Sequence, residues 1–287
     1  MERPKDTSFR TLNLAGQLMS FARSRVMAIV NLTPDSFYDG GRWELLSEGL
    51  RKVEKLVAEG ADILDLGAAS SRPGAKEVPM EQEWDRLKEI IPAIRKQFPE
   101  VPISVDTWRA EIADRALNEG VAMINDISAG QLDPGLLDVV ERWKVPYVLM
   151  HMQGKPADMQ DAPSYSKVVD EQLFWFSQQL DALAERGLND VLLDPGFGFG
   201  KTLEHNYQIL NNLERYRLFE RPIMVGLSRK SMVQKVLDCA AEDALNGSTV
   251  LHTLALLKGA DLLRVHDVRE AREAIALVEK YELPVRD

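Results

Sequence analysis

The run VMAIVN, residues 26–31, opens into the polar loop NLTPDSFYDGG, residues 31–41, passes through LLSEGLRKVEKLVAEG, residues 45–60, and arrives at DILDLG, residues 62–67. A short β-branched run, a glycine-closed loop, an apolar stripe of helical period and a second short run make one strand, one crossover helix and the next parallel strand. The same rhythm continues through PISVD (102–106), AMINDI (122–127), PYVLMH (146–151), DVLLD (190–194), PIMVGL (222–227) and DLLRVH (261–266), bringing the strands to eight. Amphipathic stretches such as MEQEWDRLKEIIPAIRKQF and SYSKVVDEQLFWFSQQLDALAERG lie between them, and HDVREAREAIALVEKY follows the last. Eight such units over about 250 residues predict an α/β protein built as a TIM (β/α)8 barrel. The competing doubly wound sheet places a glycine-rich fingerprint after its first strand, whereas here that strand ends in NLTPDSF and GFGFGKT comes late. Residues 1–25 are expected to form an N-terminal cap or hairpin beneath the barrel, using Leu12, Leu14, Leu18 and Phe21, with residues 26–287 as the barrel domain.

The chain has 287 residues, and its 45 acidic against 35 basic side chains give a formal charge of -10, which excludes a protein that grips nucleic acid through a diffuse basic surface. Any anionic ligand needs a local basic cluster. The single cysteine, Cys239, offers neither a disulfide nor a zinc framework and points to the reducing cytoplasm. Neither an export signal nor an apolar stretch near the ~18 residues of a membrane span is expected.

A barrel concentrates its chemistry on the loops at the carboxyl ends of its strands. Those ends carry Asn31; Ser71 and Arg72; Asp106; Asn125; His151; Asp194; Ser228, Arg229 and Lys230; and Arg264 with His266. Asp106, Asn125 and Asp194 would then converge on one pocket suited to a flat heterocycle that displays several N–H donors. The alternative for Asp106, with Thr107, is a helix cap. Phe37, on the tip of a polar loop, suggests contact with a ligand, and Arg72 presents a fork of donors for an anion, or pairs with Glu77. In DPGFGFGKT, residues 194–202, the glycines alternate, so the pattern is not a nucleotide-phosphate loop; Phe197 or Phe199 offers a stacking face. Arg264 and His266, two apart on one strand, share a side of the sheet and with Arg72 and Lys230 would make the basic cluster. The four histidines lack ligand-like spacing, while magnesium needs few protein oxygens when it also binds a diphosphate.

In order along the chain, NLTPDSFYDGG, DLGAASSRPGA, ISVDT, NDISAG, LMHMQG, DPGFGFGKT, GLSRKS and RVHDV closely resemble the motif series of the dihydropteroate synthases. The resemblance runs from residue 26 to the last helix. It implies a TIM barrel, a homodimer, that condenses 6-hydroxymethyl-7,8-dihydropterin diphosphate with p-aminobenzoate and releases diphosphate by a dissociative route. It places the pterin against Asp106, Asn125, Asp194, Phe199 and Lys230, and the diphosphate near Asn31, Ser71, Arg264 and His266, with Mg2+ helped by the Asn31 oxygen. It puts p-aminobenzoate among Phe37, Arg72, Pro73 and Ser231, and gives Asp106, Lys230, Arg264 and His266 the catalytic work. The second loop departs from the usual G-E-S-T-R-P, with Ala69 for the glutamate and Ser71 for the threonine, and Trp108 and Met232 are local variations. Two rivals are a methyltetrahydrofolate-corrinoid methyltransferase and a noncatalytic pterin-binding protein. NLTPDSF, SRPG and SRK speak against the first, and Asn31, Arg72, Lys230 and His266 against the second.

Overall fold

The structure, a computed structural model, describes residues 10–32, 42–69, 78–154, 159 and 162–282. A hairpin comes first, β1 (Thr11–Leu14) and β2 (Gln17–Ser20), paired antiparallel. Its turn, Ala15-Gly16, holds φ of 50° and 88°, the pair of positive values a two-residue hairpin needs, and Asn13 Oδ1 accepts the Gly16 N–H at 2.8 Å.

Eight parallel strands follow: β3 (Arg25–Asn31), β4 (Ile63–Gly67), β5 (Ile103–Asp106), β6 (Met123–Asp126), β7 (Tyr147–Met150), β8 (Val191–Asp194), β9 (Met224–Val225) and β10 (Leu262–Val265). Their order is β8-β7-β6-β5-β4-β3-β10-β9, and a parallel bridge between Leu193 and Ile223 joins the two edges. The barrel is therefore closed, and the expected fold is correct. Around it lie α1 (Arg42–Ala58), α2 (Met80–Leu87), α3 (Ile90–Gln97), α4 (Ala110–Asn118), α5 (Gly135–Trp143), α6 (Val168–Glu185), α7 (Leu203–Asn211), α8 (Ser231–Leu237), α9 (Leu245–Leu257) and α10 (Val268–Glu282), with a 3-10 turn at Leu213–Phe219.

Each strand alternates between two cores. Val26, Ala28, Leu64, Leu66, Ile103, Val105, Leu193 and Leu263 face outward and pack under the helices in one large apolar cluster. Met27, Ile63, Met123, Val148, Leu192, Met224 and Leu262 face inward and form a second cluster with Leu12, Leu14 and Phe21 of the hairpin segment. The hairpin thus plugs the amino-terminal end of the barrel, as expected, except that Leu18 points away and is 72% exposed. Leu18 pairs with Asn13 in the ladder, so it lies on the face opposite Leu12 and Leu14. Arg10 ties the segment to the barrel through Asp261, at 2.7 Å.

The register positions the polar residues. Asn31 lies beside Gly67, Gly67 beside Asp106, and Asp106 beside Asn125. Paired positions of parallel strands share a face, and this face is the barrel interior, two to four residues above the plugged layer. No helix among the described residues is long and apolar enough to cross a membrane.

Candidate active site

Arg264 sits at the centre of the upper barrel. Its Nε donates to Asp65 Oδ2 and its Nη2 to Asp106 Oδ2, each at 2.7 Å. Asp65 Oδ2 also accepts the Asn125 Nδ2 at 3.0 Å, while Asp65 Oδ1 and the Ser104 hydroxyl, its neighbour across the ladder, are buried without a protein partner. Asp106 is not the cap of α4. The Arg109 N–H is accepted by Thr107 Oγ1 at 3.2 Å and the Ala110 N–H by Asp133 Oδ2 at 2.8 Å, which leaves the Asp106 carboxylate to the interior. Burial raises the Asp106 carboxyl to about 7; Arg264 works against the rise, while Asp65, Asp126 and Glu83 add to it. Burial also opposes the charge on Arg264, but Asp65 and Asp106 outweigh it and hold the guanidinium firmly protonated.

Asp194 ends β8 with one oxygen accepting the Gly196 N–H at 2.7 Å, and burial raises its carboxyl against the pull of Lys230. Lys230 reaches back to donate to the Phe197 carbonyl and lies 4.8 Å from the Phe199 ring centroid. Burial lowers its ammonium to about 8, with Asp194 opposing. Phe197 is fully buried in the outer core, so of the two aromatic candidates Phe199 is the one beside the site. The glycines of this loop are required by contact: a Cβ on Gly196 would lie 2.0 Å from the His151 carbonyl oxygen, and one on Gly200 would lie 2.2 Å from that of Gln153.

Lys201, buried, donates to the His151 carbonyl at 3.0 Å and the Phe199 carbonyl at 2.8 Å, and lies 3.2 Å from His151 Nδ1. The Gln172 amide approaches the same Nδ1 at 3.1 Å. Both neighbours are donors, so Nδ1 accepts and Nε2 carries the proton; burial and then Lys201 push this histidine down to about 2. Thr202 is the N-cap of α7 in a reciprocal box with His205. Lysine and threonine in GKT are therefore structural, consistent with the rejection of a nucleotide loop.

The ends of β9 and β10 are laced together. Ser228 Oγ lies 3.0 Å from His266 Nδ1 and accepts the His266 N–H at 3.2 Å. Arg229 grips Asp267 with Nε and Nη2 at 2.9 and 2.8 Å, and its N–H is accepted by Ser248 of α9 at 2.8 Å. Burial and then Arg264 lower His266 to about 4, leaving a neutral imidazole at pH 7. On the opposite side, Glu83 of α2 is buried and accepts from Thr107 Oγ1 at 2.7 Å and from Arg109 at 2.5 Å, which fixes the loop after Asp106.

The structure thus brings Asp106, Asn125, Asp194, Phe199, Lys230 and Arg264 around one interior space, with His266 two residues beyond Arg264, just past the end of β10. Asn31, at the end of β3, is half-buried, and its Oδ1 lies 3.7 Å from where a Gly67 Cβ would stand. Ser231 opens α8 and is exposed. Phe37, Ser71, Arg72 and Pro73 lie outside the described residues. The expected basic cluster needs correction: Arg264 is paired with two carboxylates and His266 is neutral, so the local positive field is weaker than a count of basic residues implies. Asp65 and the packing of Lys201 against His151 lie outside the sequence expectations. The alternation of DILDLG, in which Asp65 and Gly67 share a face, was the signal for the first; no local pattern marks the second.

The fold and this polar interior belong to one class. The family described as pterin binding enzyme matches residues 27–266, most of the chain, and the chain belongs to that family. It is 41% identical to the dihydropteroate synthase of Escherichia coli strain K12 over 266 residues, 92% of this chain and 94% of that protein. It is 40% identical to the one from a Synechocystis species over 261 residues, covering 90% and 89%. Among solved structures, the Xanthomonas albilineans dihydropteroate synthase with 4-aminobenzoic acid superposes with a TM-score of 0.90 at 39% identity, over 96% of this chain and 100% of that one. A Yersinia pestis dihydropteroate synthase in complex with a sulfonamide drug gives 0.88 at 39% identity, over 94% and 98%. Within the pterin-binding enzymes, the chain falls among the dihydropteroate synthases, which serve folate synthesis.

Proposed function

We propose that this chain condenses 6-hydroxymethyl-7,8-dihydropterin diphosphate with p-aminobenzoate, giving 7,8-dihydropteroate and diphosphate. The observation that carries the reading is the set of acceptors, Asp106, Asn125 and Asp194, gathered beside Lys230 and Arg264 in the upper barrel. A pterin presents an amidine-like N–H edge to such a set, and a carboxylate can take two parallel N–H bonds. Phe199, with the Lys230 ammonium against its ring, offers the ring face.

The C–O bond to diphosphate breaks first, and the arylamine attacks the resulting pterin cation. Ionised Asp106 favours that cation, while Arg264 and His266, with Asn31 and Ser71, favour the departing diphosphate. The arylamine comes to Phe37, Arg72, Pro73 and Ser231. No group of three or more acidic, histidine or cysteine side chains among the described residues makes a metal cage, and Asp65 and Asp106 are taken up by Arg264. Asn31 Oδ1 makes no such pairing with the described residues and would suit Mg2+, which needs few protein oxygens when it also binds a diphosphate. When bound, the ion supplies neutralisation of the leaving diphosphate.

A homodimer in the cytoplasm completes the reading. Three neighbouring helices support the dimer by exposing apolar side chains: Val236 and Leu237 on α8, Val250 and Leu254 on α9, Leu277 and Tyr281 on α10. The deciding assay is diphosphate release that requires both substrates together and is blocked by a sulfonamide competing with p-aminobenzoate. Methyl transfer to a corrinoid, or pterin binding with no release, would replace this reading by one of its rivals.

A further inference from the structure

We infer that Asp65, one layer below the pterin acceptors, is a positioning residue that sets Asn125 for the pterin and Arg264 for the diphosphate through a single carboxylate oxygen. The inference rests on the pterin reading above and adds a residue to it. Asp65 is fully buried, and its Oδ2 accepts from Arg264 Nε at 2.7 Å and Asn125 Nδ2 at 3.0 Å.

Each contact fixes an orientation. With Nδ2 drawn down to Asp65, the Asn125 amide is held against flipping and its Oδ1 is turned away from that contact, so the side chain offers an acceptor where the pterin offers donors. With Nε on Asp65 and Nη2 on Asp106, the guanidinium plane is pinned at both ends of one edge, and Nη1 keeps its donors for an oxyanion. Without Asp65, Arg264 would retain only the Asp106 contact and could swing about it, and the two substrate-facing groups would lose their shared reference. The pairing also divides the Arg264 charge between two carboxylates, so Asp106 is not fully neutralised by it.

The test compares wild type with Asp65→Asn and Asp65→Ala, measuring the Kd of a pterin lacking the diphosphate, the Ki of diphosphate as product, and kcat. Asp65→Asn keeps the shape but removes the charge behind two hydrogen bonds, and about 10- to 100-fold is expected in both pterin Kd and diphosphate Ki, the scale of a charge-assisted hydrogen bond. Asp65→Ala and Asn125→Ala together should weaken pterin binding by much less than the product of the single effects, since both act through one contact. A folded Asp65→Asn protein with wild-type Kd, Ki and kcat overturns the inference, as does full additivity with Asn125→Ala. Should both Asp65 variants fail to fold, side-chain nitrogen NMR of the wild-type protein decides: a slowly exchanging Arg264 Nε–H supports the contact, and a freely exchanging one refutes it. Failure of wild type to make dihydropteroate would instead remove the functional reading, which separates the two.

Discussion

Replacing Asp106 by asparagine should separate binding from turnover. Asparagine keeps the size and one acceptor oxygen, so a neutral ground-state pterin loses only the difference between a charged and a neutral hydrogen bond, about 1 kcal/mol or ~5- to 10-fold in Kd. The pterin cation loses more. A unit charge at about 4 Å is worth ~4 kcal/mol at an effective dielectric near 20. Arg264 offsets part of this from 2.7 Å, but the same guanidinium also serves Asp65 at 2.7 Å. If the offset is about half, ~2 kcal/mol remains, about a 30-fold loss of kcat. The assay is diphosphate release at saturating substrates beside calorimetric pterin binding. The pH dependence adds a second reading. On the proposed mechanism ionised Asp106 is the working form, and its carboxyl lies near 7, so wild-type kcat/KM should fall tenfold per unit below that pH, and this limb should vanish in Asp106→Asn. For stability the sign runs the other way. The folded carboxyl is raised above its ordinary 3.8, so its contribution is present in acid and lost as pH rises through about 7, and Asp106→Asn should raise Tm at pH 8 with little change at pH 4. Equal losses in kcat and Kd, or an acid limb that survives the substitution, would refute the reasoning.

Gly196→Ala would put a Cβ 2.0 Å from a backbone carbonyl at a residue with φ of 69°, and a loss above about 2 kcal/mol is expected; calorimetry showing an unchanged Tm would contradict the close packing of the two loops. Leu12→Ala should cost ~2 to 4 kcal/mol in denaturant unfolding, whereas Leu18→Ala should stay within about 0.5 kcal/mol; equal costs would show that the hairpin does not plug the barrel as described. Val250→Glu with Leu254→Glu should give a folded monomer by sedimentation velocity, and a persisting dimer would place the interface away from α9.

The barrel was legible because each strand is a short apolar run bounded by turn residues, and all eight runs became strands. The run PIMVGL shrank to two paired residues, Met224 and Val225, since proline at 222 gives no N–H to the ladder and the edge closes through the Ile223 bridge. Leu18 was misjudged because a four-residue strand has two faces and only one meets the barrel. The acceptors at strand ends were legible one by one, but their pairing was not. Arg264 meets partners 199 and 158 residues away, and nothing local says that its charge is divided between them. Lys201 was hidden for the same reason: its histidine partner lies 50 residues upstream, and burial at that depth is a tertiary fact.

The plug of Leu12, Leu14 and Phe21 closes the barrel at its amino-terminal end, so a ligand reaches the interior from the carboxyl ends of the strands. Whatever sits deepest must enter first and leave last, and on the proposed seating that is the pterin, held among Asp106, Asn125 and Asp194. Traffic is then ordered by geometry alone: an arylamine, or a drug imitating it, that settles early at the rim stands in the path of the pterin, and dihydropteroate, carrying the pterin, must back out past the same rim.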